Sequence, residues 1–112
     1  DVDVLIHEAQ ANHMINLIRD FNLQRGADLN AKLMEDITTY HTTPVEAAEI
    51  ANLANVKHLI FYHLTPAPRN YITEIIFLRG VDEIREEWTL SNDGTMVVLP
   101  VGSDEIIISK IE

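Results

Sequence analysis

The sequence has 112 residues, 46% of them apolar, which suits one compact core and excludes the weakly hydrophobic, highly charged compositions that stay disordered. Its 18 acids against 8 bases give a formal charge of −10, a field that repels phosphate backbones and makes this chain alone a poor nucleic-acid binder. The chain has no cysteine for a disulfide, a thiolate metal site or a nucleophile, and no apolar run approaching the roughly 18 residues of a membrane span.

Asp1-Val2-Asp3-Val4 is acidic and lacks the basic and apolar regions of a secretory signal, so a cytoplasmic protein with no membrane partner is expected. A single domain is expected over residues 1–112. The absence of an initiator methionine and the strand-like opening suggest a chain that begins partway through a larger design.

In chain order, Val2 to His7 is a β-branched-rich run of the kind found in a buried strand. From Ala9 to Arg25, residues Ala11, Met14, Ile15, Ile18 and Phe21 recur at helical spacing, and Gly26 stands where a helix-ending glycine belongs. Asp28 to Tyr40 reads as a second short helix and an exit loop. Thr43-Pro44-Val45-Glu46 then supplies a capping hydroxyl, a first-turn proline and a glutamate three residues after the cap, predicting a helix from Pro44 to Asn55. Val56 to His63 is the next strand, broken by Pro66-Ala67-Pro68, and strand, helix, strand is a βαβ rhythm. Asn70 caps a further helix through Leu78, closed by Gly80. Trp88-Thr89-Leu90, the turn Ser91-Asn92-Asp93-Gly94 and Thr95 to Leu99 read as a hairpin, with Pro100 to Asp104 a second turn and Glu105 to Ile111 a last strand.

Catalytic groups in α/β sheets gather at the carboxyl ends of strands. Three segments there carry ionisable groups: His7-Glu8-Ala9, Tyr40-His41-Thr42-Thr43 and Tyr62-His63-Leu64-Thr65-Pro66. No glycine-rich phosphate loop and no G-x-S-x-G elbow is present, which excludes the usual nucleotide-cofactor and serine-hydrolase equipment.

In order, Asp3-Val4-Leu5-Ile6-His7-Glu8-Ala9, His41-Thr42-Thr43 before Glu46-Ala47-Ala48-Glu49-Ile50-Ala51, and Leu59-Ile60-Phe61-Tyr62-His63 resemble the D-x-L-I-H-E-A, H-[ST]-[ST] and L-I-x-x-H series of ribonuclease Z-like metallohydrolases of the metallo-β-lactamase fold. The match covers roughly the first two-thirds of the chain. The resemblance implies an α/β chain equivalent to the C-terminal half of an αββα sandwich, a mixed sheet with flanking helices and a C-terminal β-hairpin. It implies that His63 is a ligand of zinc or another divalent metal, that His41 assists the leaving oxygen at the scissile phosphate, and that Glu8 orients His41. The family's H-x-H-x-D-H motif and bridging aspartate are missing from the sequence, so the metal is not expected to be held by this chain alone. Leu64-Thr65-Pro66 stands where tRNA-processing members tend to carry serine and arginine, which argues against tRNA as substrate.

The implied function is an incomplete metal-dependent phosphodiesterase segment, inactive by itself and completed by an N-terminal segment. The alternative is a non-catalytic homo-oligomeric or accessory module, since a half sandwich leaves apolar surface without its partner layer. Taken residue by residue there are plainer roles. Glu8 can stabilise the start of the following helix through its macrodipole. His41 can pack against Tyr40, and His63 can be a structural residue at a strand end. His7, His13 and His58 carry no assigned chemistry, Glu83, Glu86 and Glu87 read as solvated surface, and Phe77 and Trp88 as core.

Overall fold

The computed structural model describes residues 2–111, so Asp1 and Glu112, the ends of the expected domain, lie outside the described residues. The chain is a mixed α/β protein. Its order is β1 (Val4–Gln10), α1 (Asn12–Gln24), α2 (Asp28–Ile37), α3 (Pro44–Leu53), β2 (His58–Thr65), α4 (Tyr71–Phe77), α5 (Val81–Ile84), β3 (Trp88–Leu90), β4 (Thr95–Val98) and β5 (Ile107–Lys110).

β1, β2 and β3 form one sheet in that order, both pairings parallel, with β2 in the centre. Parallel neighbours need a crossover on a sheet face, and α3 and the pair α4–α5 supply that cover. Alternation along the strands sends Leu5, Ala9, Leu59, Phe61, Trp88 and Leu90 to one face. There they meet Ala47, Ala48 and Ala51 of α3, with Phe77 and Val81, in the buried core. The alanines of α3 are fully buried, and their small side chains let the helix lie close to the sheet. Ile6, Ile60, Glu8 and Tyr62 belong to the second face, where Ile6 is 58% and Tyr62 50% exposed.

Two expectations about strand ends shift. β1 runs through Gln10, because Ala9 and Gln10 take ladder positions against Leu64 and Thr65, and α1 begins only at Asn12. β2 begins at His58 and continues through Thr65. The helix expected from Pro44 forms with Thr43 as its cap, whose hydroxyl accepts the Glu46 N–H at 3.2 Å, and it ends at Leu53. Asn70 caps α4, and Gly80, with φ of 89°, ends one short helix and opens α5, which the sequence reading did not anticipate.

The expected hairpin of Trp88–Leu90 with Thr95–Leu99 is not formed, and the main sheet is wholly parallel rather than mixed. β3 instead lies beside β2, where Trp88 and Leu90 reach the core and the Ser91 N–H and Oγ both donate to the Phe61 carbonyl. The Asn92–Gly94 turn exists, but β4 leaves it to pair antiparallel with β5 in a separate two-stranded sheet. Gly94 is required there. Its φ is 87°, its carbonyl accepts the Ile111 N–H, and a Cβ on it would come within 2.7 Å of the Ile111 carbonyl oxygen. The C-terminal hairpin therefore turns at Pro100–Ser103, one turn later than the Asn-Asp-Gly signal suggested.

Candidate functional site

Because β1, β2 and β3 are parallel, their carboxyl ends open on one edge, the usual place for chemistry in such sheets. Glu8 projects near that edge from β1, and the connection from α2 to α3 crosses beside it. The capping of α3 by Thr43 fixes where that connection ends, and this sets His41 and Thr42 against the Glu8 carboxylate. Oε1 accepts the Thr42 N–H at 3.0 Å, and Oε2 lies 3.0 Å from His41 Nδ1. The two side chains are 24% and 27% exposed, enough for a reactant to reach and enough shelter to strengthen the contact.

Burial raises the Glu8 carboxyl, but the Thr42 N–H, the His41 bond and the charges of His41 and His7 together outweigh it and hold the group below its ordinary value. An ionised carboxylate only accepts, so the proton of a neutral His41 sits on Nδ1 and Nε2 is left for other chemistry. Tyr40 packs on the His41 ring at 4.8 Å between centroids. The packing role considered for His41 thus coexists with its bond to Glu8. The helix-terminal role considered for Glu8 does not apply, since Glu8 lies inside β1, several residues before the first turn of α1.

His63 sits on the neighbouring strand, next to Tyr62, the partner of Glu8 in the ladder. Between Tyr62 and Leu64 the register slips, and His63 is the extra residue of a bulge with a left-handed φ of 48°. The bulge has a packing cause. Regular alternation would turn Leu64 away from the core, whereas the extra residue returns it to the core beside Ala9 and sends His63 outward. His63 is exposed and lines an open depression of about 660 Å³ with Tyr62, Ser91, Asn92, Asp93 and Lys110.

The structure therefore joins Glu8 and His41 by direct contact and places His63 at the same sheet edge, with no hydrogen bond or ion pair to either among the described residues. Among the described residues, no group of three or more His, Asp or Glu side chains is arranged to hold a metal ion. A tetrahedral site takes about four donors, so the residues present do not by themselves fit zinc or another divalent ion.

The other histidines are engaged elsewhere: His13 Nε2 contacts the Ile76 carbonyl at 2.6 Å, His7 Nδ1 the Glu8 carbonyl at 2.8 Å, and His58 Nε2 the Thr89 hydroxyl at 2.8 Å. Glu83, Glu86 and Glu87 are exposed, Phe77 is fully buried and Trp88 packs against the core. The sequence reading missed the Thr42 N–H, because a backbone donor leaves no mark in the residue types. It also passed over Arg85, a buried guanidinium that donates to the Val56 carbonyl at 3.0 Å and steadies the entry to β2.

Among the described residues no helix is long and apolar enough to cross a membrane. The sequence matches no family model, and no curated protein is similar to it.

Proposed function

We propose that this chain is a C-terminal portion of a metallo-β-lactamase-fold, ribonuclease Z-like metallohydrolase, half of an αββα sandwich, that contributes a proton-handling pair to phosphodiester cleavage. The observation that carries the reading is the contact of Glu8 and His41 across a long stretch of sequence, with the second carboxylate oxygen held by the Thr42 N–H. In this role Glu8 fixes the orientation of the ring, and Nε2 delivers a proton to the leaving oxygen. His63, turned outward at the same edge, is this chain's contribution to a site for zinc or another divalent metal whose other ligands come from an N-terminal segment.

The test is turnover of a generic phosphodiester with metal analysis, on the chain alone and mixed with a segment carrying the H-x-H-x-D-H motif. The expected result is no turnover alone, turnover with bound metal after mixing, and a loss of about 10²-fold or more in the mixed His41→Ala protein. Turnover by the chain alone would overturn the incompleteness. Absence of metal and of turnover after mixing would overturn the hydrolase reading.

The second reading is a non-catalytic module that associates with another copy of itself. Ile6 and Tyr62, exposed on the second face of the sheet, favour it, because apolar sheet faces are normally covered by another layer.

A further inference from the structure

Gln10 is the last residue of β1 and is completely buried, an uncommon place for a primary amide without a task. Its backbone N–H donates to the Thr42 carbonyl at 2.8 Å. Its Nε2 donates to the Ile37 carbonyl at 3.0 Å, where α2 ends, and to Asn12 Oδ1 at 2.9 Å. Asn12 in turn reaches the Thr38 carbonyl through Nδ2 at 3.4 Å. Glu8, Gln10 and Asn12 stand at alternate positions, and each takes hold of the connection from Ile37 to Thr42. Among the described residues, the hydroxyls of Thr38 and Thr39 bond back into α2, to the carbonyls of Glu35 and Asp36, and give that connection no tie to the sheet.

The orientation of the amide is fixed by its donors. Reversing it would set Oε1 against the Ile37 carbonyl, so the buried Oε1, which has no partner among the described residues, is left over by the requirement for N–H at that point.

We propose that Gln10 is a positioning residue for the Glu8–His41 pair, its buried amide clamping the end of α2 so that the connection presents the Thr42 N–H and the His41 ring to the Glu8 carboxylate. Gln10 is too far inside to touch a reactant and acts through the other two residues. The functional meaning of this clamp rests on the pair having the proton-handling role given above. The clamp itself is a property of the free chain. One residue thus couples the projecting helices α1 and α2 to the edge where the chemistry is placed.

The test is made on the full chain without metal or substrate. Gln10→Met keeps an unbranched side chain of similar length and removes the donor. The readouts are the titration of the Glu8 carboxyl carbon by NMR and hydrogen exchange at the Thr42 amide. With a cooperative melt retained, the expected result is a Glu8 midpoint moved up toward its ordinary value and exchange at Thr42 accelerated about tenfold, the factor that accompanies ~1.4 kcal/mol.

Val56→Ala, a core change in the connection that leads into the opposite end of β2, should lower stability and leave both readouts unchanged. If Gln10→Met does not fold, Asn12→Ala, which removes the neighbour of the amide, should shift both readouts in the same direction by less. Unchanged Glu8 titration and Thr42 exchange in the folded Gln10→Met protein, or in Asn12→Ala if that substitute is needed, would overturn the proposal. A complemented hydrolase that failed to turn over would leave these readouts untouched, so the two ideas fail separately.

Discussion

At Glu8 the cost of burial and the gain from hydrogen bonds oppose one another, and the bonds to Thr42 and His41 prevail. The folded chain therefore binds fewer protons at Glu8 than the unfolded chain does, and this contribution is complete above the ordinary value of 4.5 and drains as pH falls through the lower folded value. Glu8→Gln should flatten the fall in melting temperature between about pH 5 and about pH 3, and equal slopes in the two proteins would show that the contact does not persist in solution. His58 sets a second, separate window. Burial first and the charge of Arg85 second push it below its ordinary 6.5, while Glu87 partly opposes them. The fold thus favours neutral His58, and its contribution is lost as pH falls below 6.5. The parent's urea midpoint should fall between pH values of about 7.5 and about 5.5, and His58→Gln, which can keep a bond to Thr89, should reduce that fall. Of the candidate site, the contact of Glu8 with His41 was expected only through the likeness of their segments to a known motif series, because nothing local to either residue announces a partner 33 positions away. The bulge at His63 was not, since it arises from the demand of Leu64 for the core, which only the register of two strands reveals.

Among the elements, α3 depends most visibly on a local device. Thr43 accepts the Glu46 N–H and its hydroxyl donates to the Glu46 carboxylate, so Thr43→Ala should cost about 1 kcal/mol, seen as a lower urea midpoint with an unchanged slope. A loss well below that would mean that packing of Ala47, Ala48 and Ala51 alone holds the helix start. The legibility of the elements follows the range of the forces that make them. Caps at Thr43 and Asn70 and the apolar run of β2 act within a few residues and were read correctly to within two or three positions. The pairing of β3 was misread because the Asn-Asp-Gly signal fixes that the chain turns and says nothing about what it pairs with. That choice was made by Phe61, whose carbonyl receives Ser91, and by the core that Trp88 and Leu90 enter. The four residues of α5 are too few for a periodic pattern to show.

The whole molecule is long for its size: its radius of gyration is 16.1 Å, against about 13 Å for a compact chain of this length. Among the described residues, α1 and α2 pack chiefly on each other, β4 pairs with β5 in a sheet of its own, and helices cover one face of the parallel sheet. On the second face Ile6 and Tyr62 are left to solvent, next to a buried Ile60. If that face is where another copy docks, two opposing forces act on association. Apolar burial favours it, and the charge of −10 on each copy resists it at long range. Added salt screens the second force without weakening the first. The mass measured by light scattering should therefore rise with protein concentration and rise further with sodium chloride. Ile6→Thr removes apolar surface without adding charge and keeps a residue suited to strands, so it should return the chain toward monomer at every salt concentration. A parent protein that stays monomeric at high concentration and high salt would remove the self-associating module from consideration and leave the exposed face to a different partner.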